Sequence, residues 1–412
     1  MNGRSKFFVI LILGMLSAIG PFSIDMYLPG FPAIAEDLHT TTAHVSLSLS
    51  SFFIGISIGQ LLYGPLLDRF GRKNPLYFGL IGYVLASVGC ALCTTADALI
   101  AIRLLQALGG CAGMVAARAM VRDLFPVKEN AKIFSLLMLV VAVSPIIAPT
   151  TGGYVTALFG WQAIFIILAG IGLVTLLCVY FALPESRQAD DGVSLLPRPI
   201  VKSFLEIIKV PQFYTYAFTG SIAAAGLYAY IAGSPHVFME LYHVTGKQYG
   251  WIFAIIAGGL IGSSQVNTVM LRKYTSEQII KVALLFQAAA GIALFLGSIF
   301  HFVGLFSSIF LIFIFLSCQG FTFPNSSALS MAPFTANAGR ASALMGAIQL
   351  GIGAFTSALV SLLNNNTALP MSGVMAACAV TSFFVLMAGS RVIFKTNAIA
   401  VQEKCAEMAI TS

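Results

Sequence analysis

Long apolar runs alternate with short polar stretches from one end of the chain to the other. A helix rises about 1.5 Å per residue, so about 20 consecutive apolar residues cross the hydrocarbon core of a bilayer. The pattern therefore predicts twelve spanning helices, at 7–30, 45–67, 74–94, 98–121, 133–156, 161–183, 213–234, 248–270, 278–299, 303–329, 339–362 and 371–393. One polar interval is long, Pro184 to Pro211, and it ends in the amphipathic stretch V-K-S-F-L-E-I-I-K-V. It separates six spans from six. The expected organisation is an amino-terminal six-helix bundle over 1–184 and a linker over 185–211 whose amphipathic part lies along the membrane surface. A second six-helix bundle follows over 212–395, then a tail over 396–412. The expected fold class is an all-α integral membrane protein.

Composition supports lipid as the solvent. Charged residues are 9% of the 412 and hydrophobic ones 58%. An average soluble domain carries about 25% charge, and 9% is too little to cover a wet surface of this size. The net charge of +7 would suggest nucleic acid in a soluble protein. Its placement excludes that partner. Arg4 and Lys6, Arg69, Arg72 and Lys73, Arg122, Lys128 and Lys132 fall on one side of the spans. So do Arg187, Arg198, Lys202 and Lys209, Arg272, Lys273 and Lys281, Arg340, and Arg391, Lys395 and Lys404. Lys247 alone falls in a loop on the other side, where all five histidines lie. Basic residues collect on the cytoplasmic face, so both termini are expected inside.

The seven cysteines, Cys90, Cys93, Cys111, Cys178, Cys318, Cys378 and Cys405, sit in or beside apolar runs, and only Cys90 and Cys93 are close in sequence. They read as packing residues; no metal is expected. The first apolar run is too long for a signal peptide, and no phosphate-binding loop points to ATP. No cofactor is expected. The short loops leave no room for a soluble catalytic domain, so an enzyme is not expected either.

Four local patterns carry mechanism. The loop after the second span reads Gly64-Pro65-Leu66-Leu67-Asp68-Arg69-Phe70-Gly71-Arg72-Lys73. Its glycines suit a tight turn, and its charges can pair at a helix end. In the fourth span, Arg103 opens R-L-L-Q-A-L-G-G-C-A-G. A guanidinium inside a span costs several kcal/mol unless solvated or paired, and by default marks a pathway or relay. The residues alone leave open that it snorkels to the outer interface. Arg118, further along the same span, is expected to snorkel to the inner one, with a cavity-facing role as the alternative. The fifth span holds Ser144-Pro145-Ile146-Ile147-Ala148-Pro149-Thr150-Thr151-Gly152-Gly153, whose two prolines should bend it. Asp25, in S-I-D-M-Y-L-P, is the one acid deep in a predicted span. Desolvation disfavours its charge, so it can exchange a proton as its surroundings open and close, or attract a cation.

These strings resemble the major facilitator superfamily. The 2–3 loop is similar to that family's signature loop, which implies a latch between halves in the outward-facing state. Gly64, Asp68, Arg69, Gly71, Arg72 and Lys73 would form it, with Asp68 and Arg72 as its charge pair. R-x-x-Q resembles the fourth-helix motif tied to proton coupling. P-x-x-x-P-x-x-G-G resembles the fifth-helix antiporter motif, here Pro145, Pro149, Gly152 and Gly153, with Ala148 where glycine is usual. S-I-D-M-Y-L-P resembles the bicyclomycin/chloramphenicol-resistance (Bcr/CflA) group of multidrug exporters. R-D-L-F-P at 122–126, L-P-E at 183–185, S-P-x-V-F at 234–238 and G-R-A-S-A-L at 339–344 extend that likeness along most of the chain. The resemblance implies a monomeric bacterial inner-membrane antiporter that exports a small drug-like molecule in exchange for protons. Asp25 and Arg103 would couple the proton. Export of a metabolite, or proton-coupled uptake, are its alternatives. Tyr27, Gln106, Tyr228, Tyr230, Asn325 and Gln349 are the candidate lining of the substrate cavity.

Overall fold

A computed structural model describes the backbone of residues 3–190, 192, 197–334 and 338–411, and side chains over 6–394 except 127–128, 131, 191, 193–197 and 335–337. The side chains of Arg4, Lys128, Lys395, Lys404 and Cys405, part of the linker, and the tail's side chains lie outside the described residues.

Among the described residues, twelve helices are long and apolar enough to cross a membrane. Ten follow the expected spans to within about three residues at each edge. The first and seventh run longer, Lys6–Asp37 and Pro211–Leu241. The first span is α1 (Gly3–Asp25), a 3-10 turn (Leu28–Gly30) and the short α2 (Phe31–Asp37) in succession. Pro29 and Pro32 lack the N–H that would carry a regular helix through this stretch, so α1 stops at Asp25. The seventh continues past Pro235 as a π-helical turn, His236–Leu241. The remaining spans of the first half are α3 (Thr42–Arg69), α4 (Lys73–Ala91), α5 (Ala96–Leu124), α6 (Val127–Phe159) and α7 (Gln162–Ala182). The linker holds α8 (Pro197–Ile208), which covers most of the expected amphipathic stretch. The second half is α9 (Pro211–Pro235), α10 (Gly246–Met270), α11 (Ser276–Ile299), α12 (Leu305–Met331), α13 (Ala338–Leu362) and α14. The backbone of α14 is one helix over Leu369–Thr411, so the expected tail extends the last span.

Small residues let the halves touch. Along α3 and α13, Ser46 bonds Ser361, Ser50 Oγ lies 2.9 Å from Ser357 Oγ, and Ser57 Oγ donates to the Ala347 carbonyl at 2.8 Å. The Phe53 ring meets the Tyr228 ring edge-on at 4.8 Å. On the other flank α6 and α10 meet through glycine: a Cβ on Gly250 would stand 2.8 Å from Thr150 Cα. Close backbone approach of this kind is how helices associate where lipid offers no hydrophobic drive. All these contacts lie between the midsection and the end of the bundle away from the chain termini. At the end that carries the termini, the halves part around a cavity of about 860 Å³.

With the native cysteines replaced, Ser50→Cys and Ser357→Cys together should form a disulfide under mild oxidation. The transport that the resemblance implies should then stop and resume on reduction. Full transport by the oxidised pair, verified by gel shift, would show that this contact need not open.

Candidate functional site

Arg103 is fully buried. The α5 glycines put it there: Gly109 packs so closely on α4 that a Cβ would lie 2.6 Å from the Gly79 carbonyl and the Tyr83 nitrogen. The guanidinium donates to the Ser23 carbonyl at 2.9 Å and to Gln106 Oε1 at 2.5 Å. Gln106 in turn donates to Ser87 Oγ at 2.7 Å. The rings of Phe52 and Tyr27 flank the cation at 4.1 and 4.4 Å from their centroids. The Tyr27 hydroxyl is held by Ser48 at 2.8 Å. Ser23 belongs to the last turn of α1, where a helix leaves carbonyls without intrahelical partners and carries its negative dipole end. Arg103 thus ties the break in the first span to the fourth. It does not snorkel, and its neighbours explain why: aromatic faces and a helix end replace water.

No bond from Arg103 goes to Asp25. Asp25 is 5% exposed, and among the described residues its carboxylate has no hydrogen bond or ion pair. It sits at the end of α1 within electrostatic reach of Tyr230 and Tyr249, both from the second half. Tyr249 is bonded to Ser234 at 2.8 Å, whereas the buried Tyr230 hydroxyl has no partner. The two residues expected to couple the proton are thus not bonded to each other among the described residues. One residue organises the amino-terminal half, and the other faces the seam between halves.

The fifth-helix glycines meet this break directly. A Cβ on Gly152 would stand 1.8 Å from the Met26 carbonyl oxygen, and one on Gly153 would stand 2.6 Å from the Gly246 carbonyl oxygen. Here α6 is continuous through Pro145 and Pro149, and the pattern's glycines serve contact with α1 and α10.

The 2–3 loop is the hub of a charge cluster. Arg72 donates to Asp68 at 2.8 Å and to Asp123, at the end of α5, at 2.7 Å. Burial works against the Arg72 charge, but Asp123 and Asp68 outweigh it and hold its pKa above the ordinary value. Glu185 accepts from the backbone N–H groups of Arg72 and Lys73 at 2.9 and 3.1 Å, capping the start of α4. Arg187 reaches Asp68 at 3.4 Å. Gly71 has φ +79° and its notional Cβ would lie 3.2 Å from the Arg187 carbonyl, so a side chain there meets both strain and contact. Gly64 has open space around it, and nothing in this conformation requires a glycine there. Lys73 lies over the Tyr77 ring. Among the described contacts, the cluster joins the loop to α5 and the linker, all before α9.

None of the six expected cavity residues lines the 860 Å³ cavity. Tyr27 and Gln106 hold Arg103, as above. Asn325 is paired with Asn267 at 2.7 Å, Tyr230 stacks on Phe253, and Gln349 contacts the Tyr228 hydroxyl at 3.5 Å. They occupy the packed midsection of this conformation. The cavity wall is instead Gln60, Arg118 and the charged loop ends. Arg118 faces that space, which corrects the expectation that it reaches for the lipid surface.

Residues 11–358 match the profile of the family described as the Major Facilitator Superfamily. The chain belongs to that superfamily. It is 32% identical to a Haemophilus influenzae protein named bicyclomycin resistance protein homolog, over 92% of this chain and 95% of that one. It is 30% identical to multidrug resistance protein MdtL of Escherichia coli, over 89% and 92%. Among solved structures, a bacterial homologue of the lysosomal transporter Spinster, inward-facing and occupied, superposes with TM-score 0.70 at 16% identity, covering 97% of this chain and 98% of that one. This major facilitator protein is a transporter, not an enzyme, and a multi-pass protein of the bacterial inner membrane.

The site residues that sequence reasoning missed are Asp123, Glu185 and the second-half tyrosine Tyr249. Asp123 and Glu185 were visible only as parts of strings, R-D-L-F-P and L-P-E, because their partners lie far away in sequence. Arg72→Gln and Asp123→Asn should each lower thermal stability in detergent by a similar margin, on the order of 1–3 kcal/mol for a lost charge-assisted bond. The double variant should lose little more than either alone. Additive losses would show that the two side chains do not act as a pair.

Proposed function

We propose that this transporter is a proton-coupled antiporter that exports small amphipathic drugs or antibiotics by alternating access between its two bundles. The observation that carries the reading is the Asp25 carboxylate, buried at the seam between halves with no cation or donor on it. A carboxylate held there is stable neutral and costly charged. When the halves part there and water reaches it, the cost of charge falls and the group can exchange its proton. Proton occupancy is thereby tied to the rocking of one half against the other, which is what an exchanger needs. The names of the relatives support drugs as cargo, and the fifth-helix glycines, fitted against α1 and α10, support the antiporter class. No cofactor takes part; the proton gradient supplies the drive.

The basic loops support a cytoplasmic location for both termini. The structure would then be the inward-facing state, sealed on the outer side. In the cycle, protonation of Asp25 from outside releases the drug, and loss of that proton toward the cytoplasm precedes binding of the next. A fluorescent protein fused after residue 412 should fluoresce, and alkaline phosphatase fused at the 301–304 loop should be active. The reverse pattern would invert the scheme.

In an efflux-deficient bacterial host the protein should raise resistance to several unrelated compounds, about fourfold or more. In inverted vesicles, adding one of those compounds should dissipate an imposed proton gradient. Asp25→Asn, expressed at wild-type levels and monodisperse, should lose that response. Wild-type dissipation by Asp25→Asn would remove Asp25 from the coupling. Protection against no compound would exclude drugs as cargo.

A further inference from the structure

The 860 Å³ cavity is unevenly charged. Its acids are engaged: Asp68 and Asp123 hold Arg72, and Asp190 lies 4.0 Å from Arg187. Three arginines on its wall are left without an acid. Arg118 and Arg122 stand one turn apart on α5, each feeling the other's charge, and among the described residues neither guanidinium has a hydrogen bond or ion pair. Arg340, at the start of α13 in the opposite half, has one bond, to Ser203 Oγ of α8 at 3.2 Å. Arg122 points across the gap, its Nη1 3.5 Å from a notional Cβ on Gly339.

Arg118 belongs to a spanning helix, where an unanswered cation is costly, and a second cation one turn away raises that cost. Simple topology marking does not require this arrangement, because Arg122 and Arg340 already sit at the membrane edge. A guanidinium offers planar paired donors matched to carboxylate, phosphate or sulfonate. Three of them from both halves, around a space large enough for a small organic molecule, make a wall complementary to one anionic group.

We propose that Arg118, Arg122 and Arg340 form an anion site that takes a phosphate, sulfonate or carboxylate group in this cavity. It rests on the reading above in one respect: if the cavity is the path of the cargo, favoured substrates are anionic or zwitterionic amphiphiles, and purely cationic drugs are disfavoured. The anion could come from such a molecule or from a lipid headgroup entering beside α8, since both present the same chemistry.

The test is carboxyfluorescein anisotropy on the whole protein in nanodiscs of phosphatidylcholine, without a proton gradient, so that it succeeds or fails independently of antiport. Saturable binding is expected, displaced by excess inorganic phosphate. Arg118→Gln should weaken it about tenfold or more, a loss of about 1.4 kcal/mol or greater. Arg118→Lys, which keeps the charge, should retain most of it and controls for folding. If phosphatidylglycerol in the nanodisc competes with the dye, and this competition requires Arg118, the resident anion is a headgroup. If phosphatidylglycerol has no effect, the site takes a soluble anion. Either result supports the site. Equal dye affinity in wild type, Arg118→Gln and Arg122→Gln would overturn it, as would equally tight binding of cationic rhodamine 123 in the same place.

Discussion

A guanidinium with no carboxylate to answer it sets the architecture of the first half. Arg103 is wholly enclosed, and what compensates it is a set of partial charges: a carbonyl at the end of α1, an amide oxygen, and two aromatic faces. Each of these is weaker than an ion pair, so their geometry has to be good. That requirement explains features that look unrelated in sequence. The glycines of α5 bring α4 close enough for Ser87 to orient Gln106. The prolines after Asp25 end α1 where its carbonyls can face the arginine. Tyr27, just past the break, turns back to cover the cation.

A direct consequence is that Asp25 is available. Had Arg103 paired with it, the carboxylate would be permanently neutralised and held within one half, and its protonation could not report on the position of the other. With the arginine occupied elsewhere, the acid at the helix end lies within electrostatic reach of Tyr230 of α9 and Tyr249 of α10. The same break presents the Met26 carbonyl to Gly152, and the neighbouring Gly153 takes up Gly246. Backbone contacts without side chains between them can separate and re-form with little repacking, which suits a surface that would part in the proposed cycle.

How legible this was depended on the range of the interaction. Span number and position follow from local apolar length, a property of twenty neighbouring residues, and ten of twelve spans came out close. The first span misled because its second segment, F-P-A-I-A-E-D, carries a proline and two acids that read as a loop yet packs as a helix. Arg103, Asp25 and the glycine patterns stood out because charge and glycine are rare or positional in a span. Their partners did not. Glu185 caps a helix more than a hundred residues earlier in the chain, and the Ser46, Ser50 and Ser57 contacts join α3 to α13 across most of the protein. The six expected cavity residues lie away from the 860 Å³ cavity, and the sequence could not show this, for a related reason. A span's polar residues look alike from sequence whether they line a space or bond to each other, as Asn267 and Asn325 do.

The charges around the cavity also bear on how the halves can move. Closing the end that carries the termini brings α13, with Arg340, toward α5, with Arg118 and Arg122. Like charges approaching in a space that is losing water repel more strongly as the effective dielectric falls. Asp68 and Asp123 offset this only in part, because Arg72 and Arg187 already draw on them. Closure with the cavity empty is thus opposed by the cavity's own charge. An anionic group between the arginines reverses the sign of that interaction and draws the halves together. On the proposed cycle, such a transporter resists cycling without cargo at this end through charge, while at the opposite end glycine and serine contacts seal it through fit. The two gates answer to different physics, so occupancy of the cavity and protonation of Asp25 can each bias one of them.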